Sequence, residues 1–212
     1  FVIEDDKIIA DAGASIIAIS QAAYKNELSG LEFACGIPGT IGGVVRMNAG
    51  AVKGEMCNVV ESTTYIDNSG NIVTINNNEH EFTYRNSIFG NNPYIILQTT
   101  LKLNKGNKDE IKEKMEYNTK IRKEKQPLGT YNAGSSFKRL EGYFPGKLIE
   151  DAGLKGYSIG DAEVSTVHAN FLVNKGNAST KEILELFDYV QKTVFEKFNV
   201  MLEPEIQILG ED

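Results

Sequence analysis

An arginine, a serine and a glutamate that lie far apart in this sequence are its best candidates for chemistry. Arg85 lies in the segment Tyr84-Arg85-Asn86-Ser87, where a guanidinium can bind a carboxylate or a phosphate through two parallel hydrogen bonds. The spacing by itself favours an ordinary surface arginine. The segment therefore contains a group that can bind an anion, but its residues alone do not indicate that Arg85 does so.

Ser135 lies in a segment, residues 132–139, that combines a hydroxyl, a flexible glycine and two cations. The segment lacks the Gly-x-Ser-x-Gly pattern of a hydrolase nucleophile, so we do not expect a serine hydrolase. The Ser135 hydroxyl can instead donate a proton where a neighbour stabilises its alkoxide, and Lys138 is the candidate neighbour. Lys138 can equally bind phosphate, and a capped turn explains the same residues without any chemistry.

Two glutamates, Glu203 and Glu205, flank Pro204 near the end of the chain. Side chains two residues apart on an extended strand point to the same face, so the two carboxyl groups could act as an acid and a base. One solvated and one functional glutamate fits the pattern equally well. The two histidines, His80 and His168, have no cysteine or carboxylate at ligand spacing, so we expect no metal site.

Two glycine-rich segments, GIPGTIGG at residues 36–43 and NAGA at residues 48–51, form the strongest local signal. Glycine lets backbone N–H groups approach a ligand closely, so such segments can hold a pyrophosphate or a flat ring. Neither the P-loop pattern nor the dinucleotide-binding fingerprint is present. On glycine spacing alone, a structural turn is as good an interpretation as a ligand site.

The first half of the chain reads as mixed helix and strand. Ser15 is a candidate N-cap for a helix to about Leu28, which we expect Gly30 to end. Hydrophobic patterning and turn residues predict strands at residues 7–13, 59–66, 71–75 and 94–103, with the second and third joined in a hairpin.

The second half contains the clearest helix of the sequence. Ser179 and Glu182 form a capping box ahead of a continuous apolar stripe. A charged helix is predicted from Asp109 or Glu110 to about Glu124, where Pro127 stops it. The remaining predicted elements are a short helix near 148–152, a buried strand at 170–174 and a terminal strand at 202–210.

The composition is that of an ordinary globular protein, with 41% hydrophobic and 24% charged residues among 212. The formal net charge of −7 argues against a nucleic-acid binder, whose affinity depends on neutralising phosphates. No apolar run is long enough to span a membrane, so we expect no membrane span. No secretory signal is visible and only two cysteines are present, so we expect a cytoplasmic location. We also expect no obligate protein partner. Because the chain opens at Phe1 as if within a strand, we expect it to be the C-terminal part of a longer protein.

Seven short motifs occur together, and their order is more specific than any one of them. They are GIPGTIGG (36–43), NAGA (48–51), YRNSIF (84–89), AGSSFK (133–138), AGLKG (152–156), HANF (168–171) and LEPE (202–205). In these motifs, which extend over essentially the whole chain, the sequence resembles the UDP-N-acetylenolpyruvoylglucosamine reductase (UDP-N-acetylmuramate dehydrogenase) family of flavoenzymes.

The resemblance implies an α+β fold: the second lobe of a vanillyl-alcohol-oxidase-type FAD-binding domain plus an α/β substrate-binding domain. Residues 1–104 would form the flavin lobe, residues 105–200 the substrate domain, and residues 201–212 a terminal strand that returns to the flavin domain. The family places another flavin lobe, with its own glycine-rich loop, before the point where this chain begins. We therefore expect the 212 residues alone to bind FAD weakly or not at all, and to be inactive as a reductase.

The resemblance also implies an NADPH-dependent oxidoreductase of peptidoglycan precursor synthesis. NADPH would reduce FAD, and the reduced flavin would pass the hydride to UDP-N-acetylglucosamine enolpyruvate, giving UDP-N-acetylmuramate after protonation. By motif, Ser135 would donate the proton, while Arg85 and Glu205 would stabilise the charge on the carboxylate side of the intermediate. This chemistry agrees with the residue types, because a guanidinium stabilises developing negative charge.

The remaining site residues divide between the cofactor and the substrate. For FAD, the motifs indicate Gly36, Ile37, Pro38, Gly39, Thr40, Gly42, Gly43, Asn48, Ala49 and Gly50. For the UDP-sugar, they indicate the diphosphate partners Lys125, Lys138 and Arg139, with Tyr84 and His168 as further contacts. Two alternatives remain open: a non-catalytic UDP-sugar-binding module, and another FAD-dependent oxidoreductase of the same superfamily.

Overall fold

The chain divides into two units, Phe1–Ile121 (unit 1) and Arg122–Asp212 (unit 2). The computed structural model describes residues 1–139 and 141–210 of this chain. Each unit has its own hydrophobic core and its own antiparallel sheet with helices, which makes the fold α+β. The predicted domain boundaries, after residues 104 and 200, stay predictions.

Unit 1 is built around a five-stranded antiparallel sheet. Its elements, in chain order, are β1 (Val2–Glu4), β2 (Lys7–Asp11), α1 (Ile16–Lys25), β3 (Leu28–Ser29), α2 (Ile41–Arg46), β4 (Gly50–Ala51), β5 (Gly54–Glu55), β6 (Val60–Ile66), β7 (Ile72–Asn76), α3 (Ile88–Asn91), β8 (Ile95–Lys102), β9 (Asn104–Lys105) and α4 (Lys108–Lys125), whose end belongs to unit 2. The strand order is β1-β2-β8-β6-β7. Ile8 on β2 pairs with Leu101 on β8, and both side chains are fully buried in the core.

The predicted hairpin is confirmed as β6 and β7, with Ile66 paired to Ile72. Asp67 closes the turn, because its Oδ1 accepts hydrogen bonds from the backbone N–H groups of Ser69 and Asn71, each at 2.8 Å. Gly70 adopts a φ of +83° in this turn, a conformation that glycine adopts without strain. Local turn chemistry alone therefore determined this element.

The predicted extent of the first helix was wrong. Ser15 caps α1 as expected, accepting from Ala18 N, but the helix ends at Lys25. Glu27 has a φ of +56°, and Leu28 then pairs with Lys105 in the small β3–β9 sheet. The helix therefore ends at the Asn26 cap, where Asn26 N and Nδ2 both donate to Ala22 O, and at the left-handed Glu27, before Gly30 is reached.

Unit 2 contains a four-stranded antiparallel sheet in the order β10-β13-β12-β11. Its elements are β10 (Tyr131–Asn132), α5 (Pro145–Asp151), β11 (Ser158–Ile159), β12 (Ala162–Val164), β13 (Leu172–Asn174) and α6 (Thr180–Phe198). The capping box of α6 is confirmed: Ser179 Oγ accepts from Glu182 N at 3.2 Å, and Glu182 Oε2 accepts from Ser179 N at 2.7 Å. Leu186, Val190 and Val194 form its fully buried stripe.

The predicted terminal strand at residues 202–210 is not formed. In the described part of this segment, pairing is limited to one isolated bridge between Pro204 and Phe137. Pro204 occupies a non-hydrogen-bonded position of this bridge, between the bonds from Lys138 N to Glu203 O and from Glu205 N to Ser136 O, so its missing N–H breaks neither bond. Leu202 is nevertheless fully buried in the core of unit 2. Among the described helices of both units, none combines the length and the apolar character that crossing a membrane requires.

Candidate active site

The GIPGTIGG segment ends in a short helix that the sequence did not predict. Within α2, Ile41 N donates to Ala14 O and Gly42 N donates to Ala12 O, both at 2.9 Å. A Cβ on Gly42 would lie 3.1 Å from the Cβ of Ala12, so glycine permits this close packing of α2 on the end of β2. Two of the backbone N–H groups expected to face a ligand are therefore used inside unit 1.

The exposed part of this segment fits an extended ligand such as FAD. Pro38, Gly39, Thr40 and Gly43 are exposed, and the segment presents little side-chain bulk there. Gly39 has a φ of +153°, which favours glycine at this position. Of the predicted FAD-binding residues, these four are therefore the most exposed, whereas Asn48 is buried.

Asn48, another predicted FAD-binding residue, has its side chain fully engaged in the protein. It is 1% exposed and has a φ of +40°. Its Nδ2 donates to Thr83 O at 3.0 Å and to Glu55 Oε2 at 3.2 Å, while its Oδ1 accepts from Cys57 N at 2.9 Å. A contact between the Asn48 amide and FAD stays a prediction, and it would require these bonds to break.

Arg85 occupies a tight turn that packs on the NAGA motif. Thr83 and Asn86 exchange backbone hydrogen bonds of 3.1 and 3.3 Å around Tyr84 and Arg85, and Arg85 has a φ of +55°. Arg85 Nη2 donates to Gly50 O at 2.9 Å, and its guanidinium lies 4.8 Å from the centre of the Tyr84 ring. The structure thus brings together two motifs that are 35 residues apart.

Arg46 supports this turn and was missed by the sequence reasoning. Its Nε donates to Phe89 O at 3.0 Å, and its own carbonyl accepts from Ser87 Oγ at 2.8 Å. These bonds join the end of α2 to the residues that follow the Arg85 turn. The signal available in the sequence was a basic residue in the last turn of a helix, but α2 itself was not predicted.

The Ser135 and Glu205 segments are hydrogen-bonded to each other within unit 2. Glu205 N donates to Ser136 O at 2.9 Å, and Lys138 N donates to Glu203 O at 2.8 Å. Ser135 and Glu205 are both half-buried. The structure therefore places these two predicted catalytic residues on adjacent segments.

The predicted diphosphate partners have different surroundings. Lys138 Nζ forms an ion pair with the Glu203 carboxylate. The Arg139 guanidinium lies 4.6 Å from the centre of the Phe144 ring, and both Arg139 and Lys125 are exposed. Any bond from Lys138 to phosphate or to the Ser135 hydroxyl must compete with Glu203.

His168 is held by backbone contacts in unit 2. Its Nδ1 accepts from Asn170 N at 3.1 Å, so the neutral ring carries its proton on Nε2. Burial lowers the pKa of His168 below that of an exposed imidazole. A Cβ on Gly146 would lie 2.9 Å from His168 Cε1, so the ring packs directly on this glycine.

A cleft of about 420 Å³ lies in unit 2, between the end of α4 and strands β12 and β13. Lys123, Leu128, Ser165 and Val167 are among its lining residues, whereas none of the predicted site residues lines it. Arg85 lies in unit 1, and Ser135 and Glu205 lie in unit 2. That the three residues share one site stays a prediction.

Known proteins match this chain along its whole length. The family model for the UDP-N-acetylenolpyruvoylglucosamine reductase C-terminal domain matches residues 126–209, and a model for an FAD binding domain matches residues 2–76. The UDP-N-acetylenolpyruvoylglucosamine reductase of Clostridium novyi is 53% identical over 209 residues, which are 99% of this chain and 68% of that protein. This chain belongs to the UDP-N-acetylenolpyruvoylglucosamine reductase family.

Two other members of the reductase family are similar to this chain in sequence and in structure. The reductase of Caldanaerobacter subterraneus is 53% identical over 210 residues, covering 99% of this chain and 70% of that protein. The crystal structure of the reductase from Thermus caldophilus matches with a TM-score of 0.85 at 37% identity, covering 96% of this chain and 73% of that one. The resemblance and the α+β fold with an FAD-binding domain are therefore confirmed, and the chain is an oxidoreductase of the flavoenzyme type.

Proposed function

We propose that this chain carries the substrate-reducing site of a reductase that converts UDP-N-acetylglucosamine enolpyruvate to UDP-N-acetylmuramate with electrons from NADPH. The observation that carries the proposal is the 53% identity to a named reductase over 99% of this chain. The pairing of the site motifs, Arg85 with Gly50 and the Ser135 segment with the Glu205 segment, supports it.

The exposed residues of the glycine-rich segment would hold the cofactor. FAD, when bound there, supplies the hydride that NADPH provides. Pro38, Gly39, Thr40 and Gly43 contribute an exposed backbone with little side-chain bulk. The bonds from Ile41 N to Ala14 O and from Gly42 N to Ala12 O attach this segment to the residues that follow β2.

Arg85 and Glu205 stabilise the charge that develops when a hydride reaches the enolpyruvyl group. That addition builds negative charge on the carboxylate side, where a guanidinium stabilises it by charge and by geometry. The bond from Arg85 to Gly50 O, together with the Tyr84 ring, limits the positions that the guanidinium can take. Glu205 shares the task through a hydrogen bond to the same group.

Ser135 donates the proton that completes the product. A serine hydroxyl is a weak acid in water, so the site must stabilise its alkoxide. Lys138, three residues further along the chain, supplies the cation that stabilises this alkoxide. To do so, its ammonium group moves away from the Glu203 carboxylate with which it forms an ion pair. Lys138 also binds the diphosphate together with Lys125 and Arg139, and Tyr84 and His168 are further contacts to the UDP-sugar.

The test separates the two halves of the reaction. It uses the full-length protein, meaning this chain with whatever natural sequence adjoins it in its gene. In stopped-flow assays, Arg85→Ala, Ser135→Ala and Glu205→Gln should slow flavin reoxidation by the enolpyruvyl substrate at least about 100-fold. Flavin reduction by NADPH should be unchanged. Equal losses in both halves would contradict the assigned roles.

We also propose that residues 1–212 by themselves hold FAD weakly and do not turn over. The chain spans 68% of the length of the Clostridium novyi reductase, so a third of that protein has no counterpart here. Gel filtration of the 212-residue chain with added FAD should leave little flavin in the protein peak. A stoichiometric flavin spectrum in that peak would refute the proposal.

A second measurement tests the alternative of a non-catalytic binding module. If the full-length protein holds no flavin and yet calorimetry shows that it binds the UDP-sugar tightly, that alternative is favoured.

A further inference from the structure

Asn170 makes hydrogen bonds to both residues that follow Ser135. Its backbone carbonyl accepts from Ser136 N at 2.8 Å, its Oδ1 accepts from Phe137 N at 3.1 Å, and its Nδ2 donates to Phe137 O at 2.9 Å. Asn170 is only 6% exposed. Water therefore cannot easily replace these bonds, and removing the amide would leave two buried backbone groups without a partner.

The same residues are bonded on their other side to the Glu205 segment. Ser136 O accepts from Glu205 N, and Phe137 forms the isolated bridge with Pro204. Ser136 Oγ also accepts from Leu172 N at 3.3 Å. Residues 136 and 137 thus lie between Asn170 and the segment that carries Glu205, so a shift of one side moves the other.

The chain is also fixed on the N-terminal side of Ser135. Gly134 has a φ of +87°, and its N–H donates to Asn132 Oδ1 at 2.9 Å. This Asx turn holds the chain immediately before Ser135, while Asn170 holds it immediately after. His168 extends the second anchor, because its Nδ1 accepts from Asn170 N.

We propose that Asn170 is a positioning residue that fixes the Ser135 hydroxyl relative to Glu205 during proton donation. The inference rests on the proposed function of those two residues. Displacing a reacting group by about 1 Å can slow a reaction about 100-fold, so an anchor one residue away controls the rate without touching the substrate. In the sequence, Asn170 belongs to the HANF motif, which by itself indicates no role for this residue.

The test measures rate, proton transfer and local structure in Asn170→Ala. In the full-length protein, flavin reoxidation by substrate should slow about 100-fold, while flavin reduction by NADPH and the Kd for the UDP-sugar stay unchanged. The solvent deuterium isotope effect on reoxidation should rise, because proton donation becomes the slower step. In the 212-residue chain, the amide protons of Ser136 and Phe137 should exchange faster with solvent.

Asn174→Ala is the matched control in the same unit. Asn174 Oδ1 accepts from Gly176 N at 2.9 Å and from Ala178 N at 3.0 Å, so its loss also removes two side-chain bonds to the backbone. It should lower thermal stability without changing either half-reaction or the isotope effect. The double variant Asn170→Ala/Ser135→Ala should be no slower than Ser135→Ala alone, because the anchor acts through Ser135.

The outcomes separate this inference from the proposed function. If Ser135→Ala slows reoxidation but Asn170→Ala changes neither the rate nor the isotope effect, the inference is overturned and the proposed function stands. If Ser135→Ala itself leaves reoxidation unchanged, the proposed role of Ser135 fails. If Asn170→Ala impairs both half-reactions equally, Asn170 is only structural. Should Asn170→Ala not fold, Asn170→Asp, which keeps the acceptor for Phe137 N, gives the same readouts.

Discussion

At the scale of single residues, the two glutamates around Pro204 lie in different surroundings. Glu203 is exposed and pairs with Lys138, whereas Glu205 is half-buried and its N–H bonds to Ser136 O. This arrangement favours one solvated and one functional glutamate over an acid/base pair. The ion pair also places a carboxylate beside a cation that we assign to the substrate.

Glu203→Gln should therefore bind the UDP-sugar more tightly. Removing the carboxylate releases Lys138 for the diphosphate. Because an exposed ion pair contributes at most about 1 kcal/mol, we expect the Kd to fall by at most about fivefold. Calorimetry on the full-length protein measures the Kd. Glu205→Gln, two residues away, is the matched control and should slow substrate reduction instead. Weaker binding by Glu203→Gln would show that Lys138 needs Glu203 to orient it.

At the scale of elements, the β4–β5 hairpin links the glycine-rich segment to the Arg85 turn. Gly50 provides the carbonyl that accepts from Arg85, and its backbone lies directly against β5. A Cβ on Gly50 would lie 2.7 Å from both Glu55 Cβ and Gly54 O. Only glycine fits there, and the requirement comes from the pairing of two strands.

Gly50→Ala should destabilise the protein by about 1–3 kcal/mol, because the added methyl group forces the two strands apart. The same variant should slow substrate reduction, since the carbonyl that holds Arg85 moves. Gly13→Ala is the control: its added Cβ meets nothing within 4 Å, so stability should stay the same or rise slightly. Urea denaturation of both variants decides the point, and equal midpoints would contradict the close packing at Gly50.

At the scale of the whole molecule, each unit contains one histidine whose pKa is lowered by burial. In unit 1, His80 is fully buried, with Nδ1 2.8 Å from Asn76 O and Nε2 2.8 Å from Thr63 Oγ1. Burial lowers the pKa of His80, as it lowers the pKa of His168 in unit 2. Both groups therefore couple folding to pH in the same direction.

The free energy of unfolding should decrease as the pH falls from 7.5 to 5.5. Because the pKa values of both histidines are lower in the folded chain, the unfolded chain binds more protons as the pH falls toward and below about 6.5, so acid favours the unfolded chain. Urea midpoints followed by circular dichroism at several pH values in this range measure the effect. His80→Gln should be less stable at pH 7.5 yet show a weaker dependence on pH. A midpoint that stays constant or rises on acidification would refute the prediction.

Local signals made several elements predictable from the sequence. The capping box of α6 involves Ser179 and Glu182, and the Asp67 turn closes within four residues, so each is decided by neighbours in the chain. The end of α1, the helix α2 and the extended segment at Pro204 were mispredicted or missed. The last two depend on partners far along the chain, Ala12 for Gly42 and Phe137 for Pro204. The end of α1 is a local cap at Asn26, which the prediction based on Gly30 missed.

The sequence by itself determined the family, through seven ordered motifs, and the elements whose causes are local. The tertiary structure decided which groups are already bonded: Asn48 with Thr83, Lys138 with Glu203, and Asn170 with the residues after Ser135. The last two pairs join residues 65 and 33 positions apart. Periodicity and capping report only the interactions of near neighbours, and bonds across such separations exist only once the chain has packed.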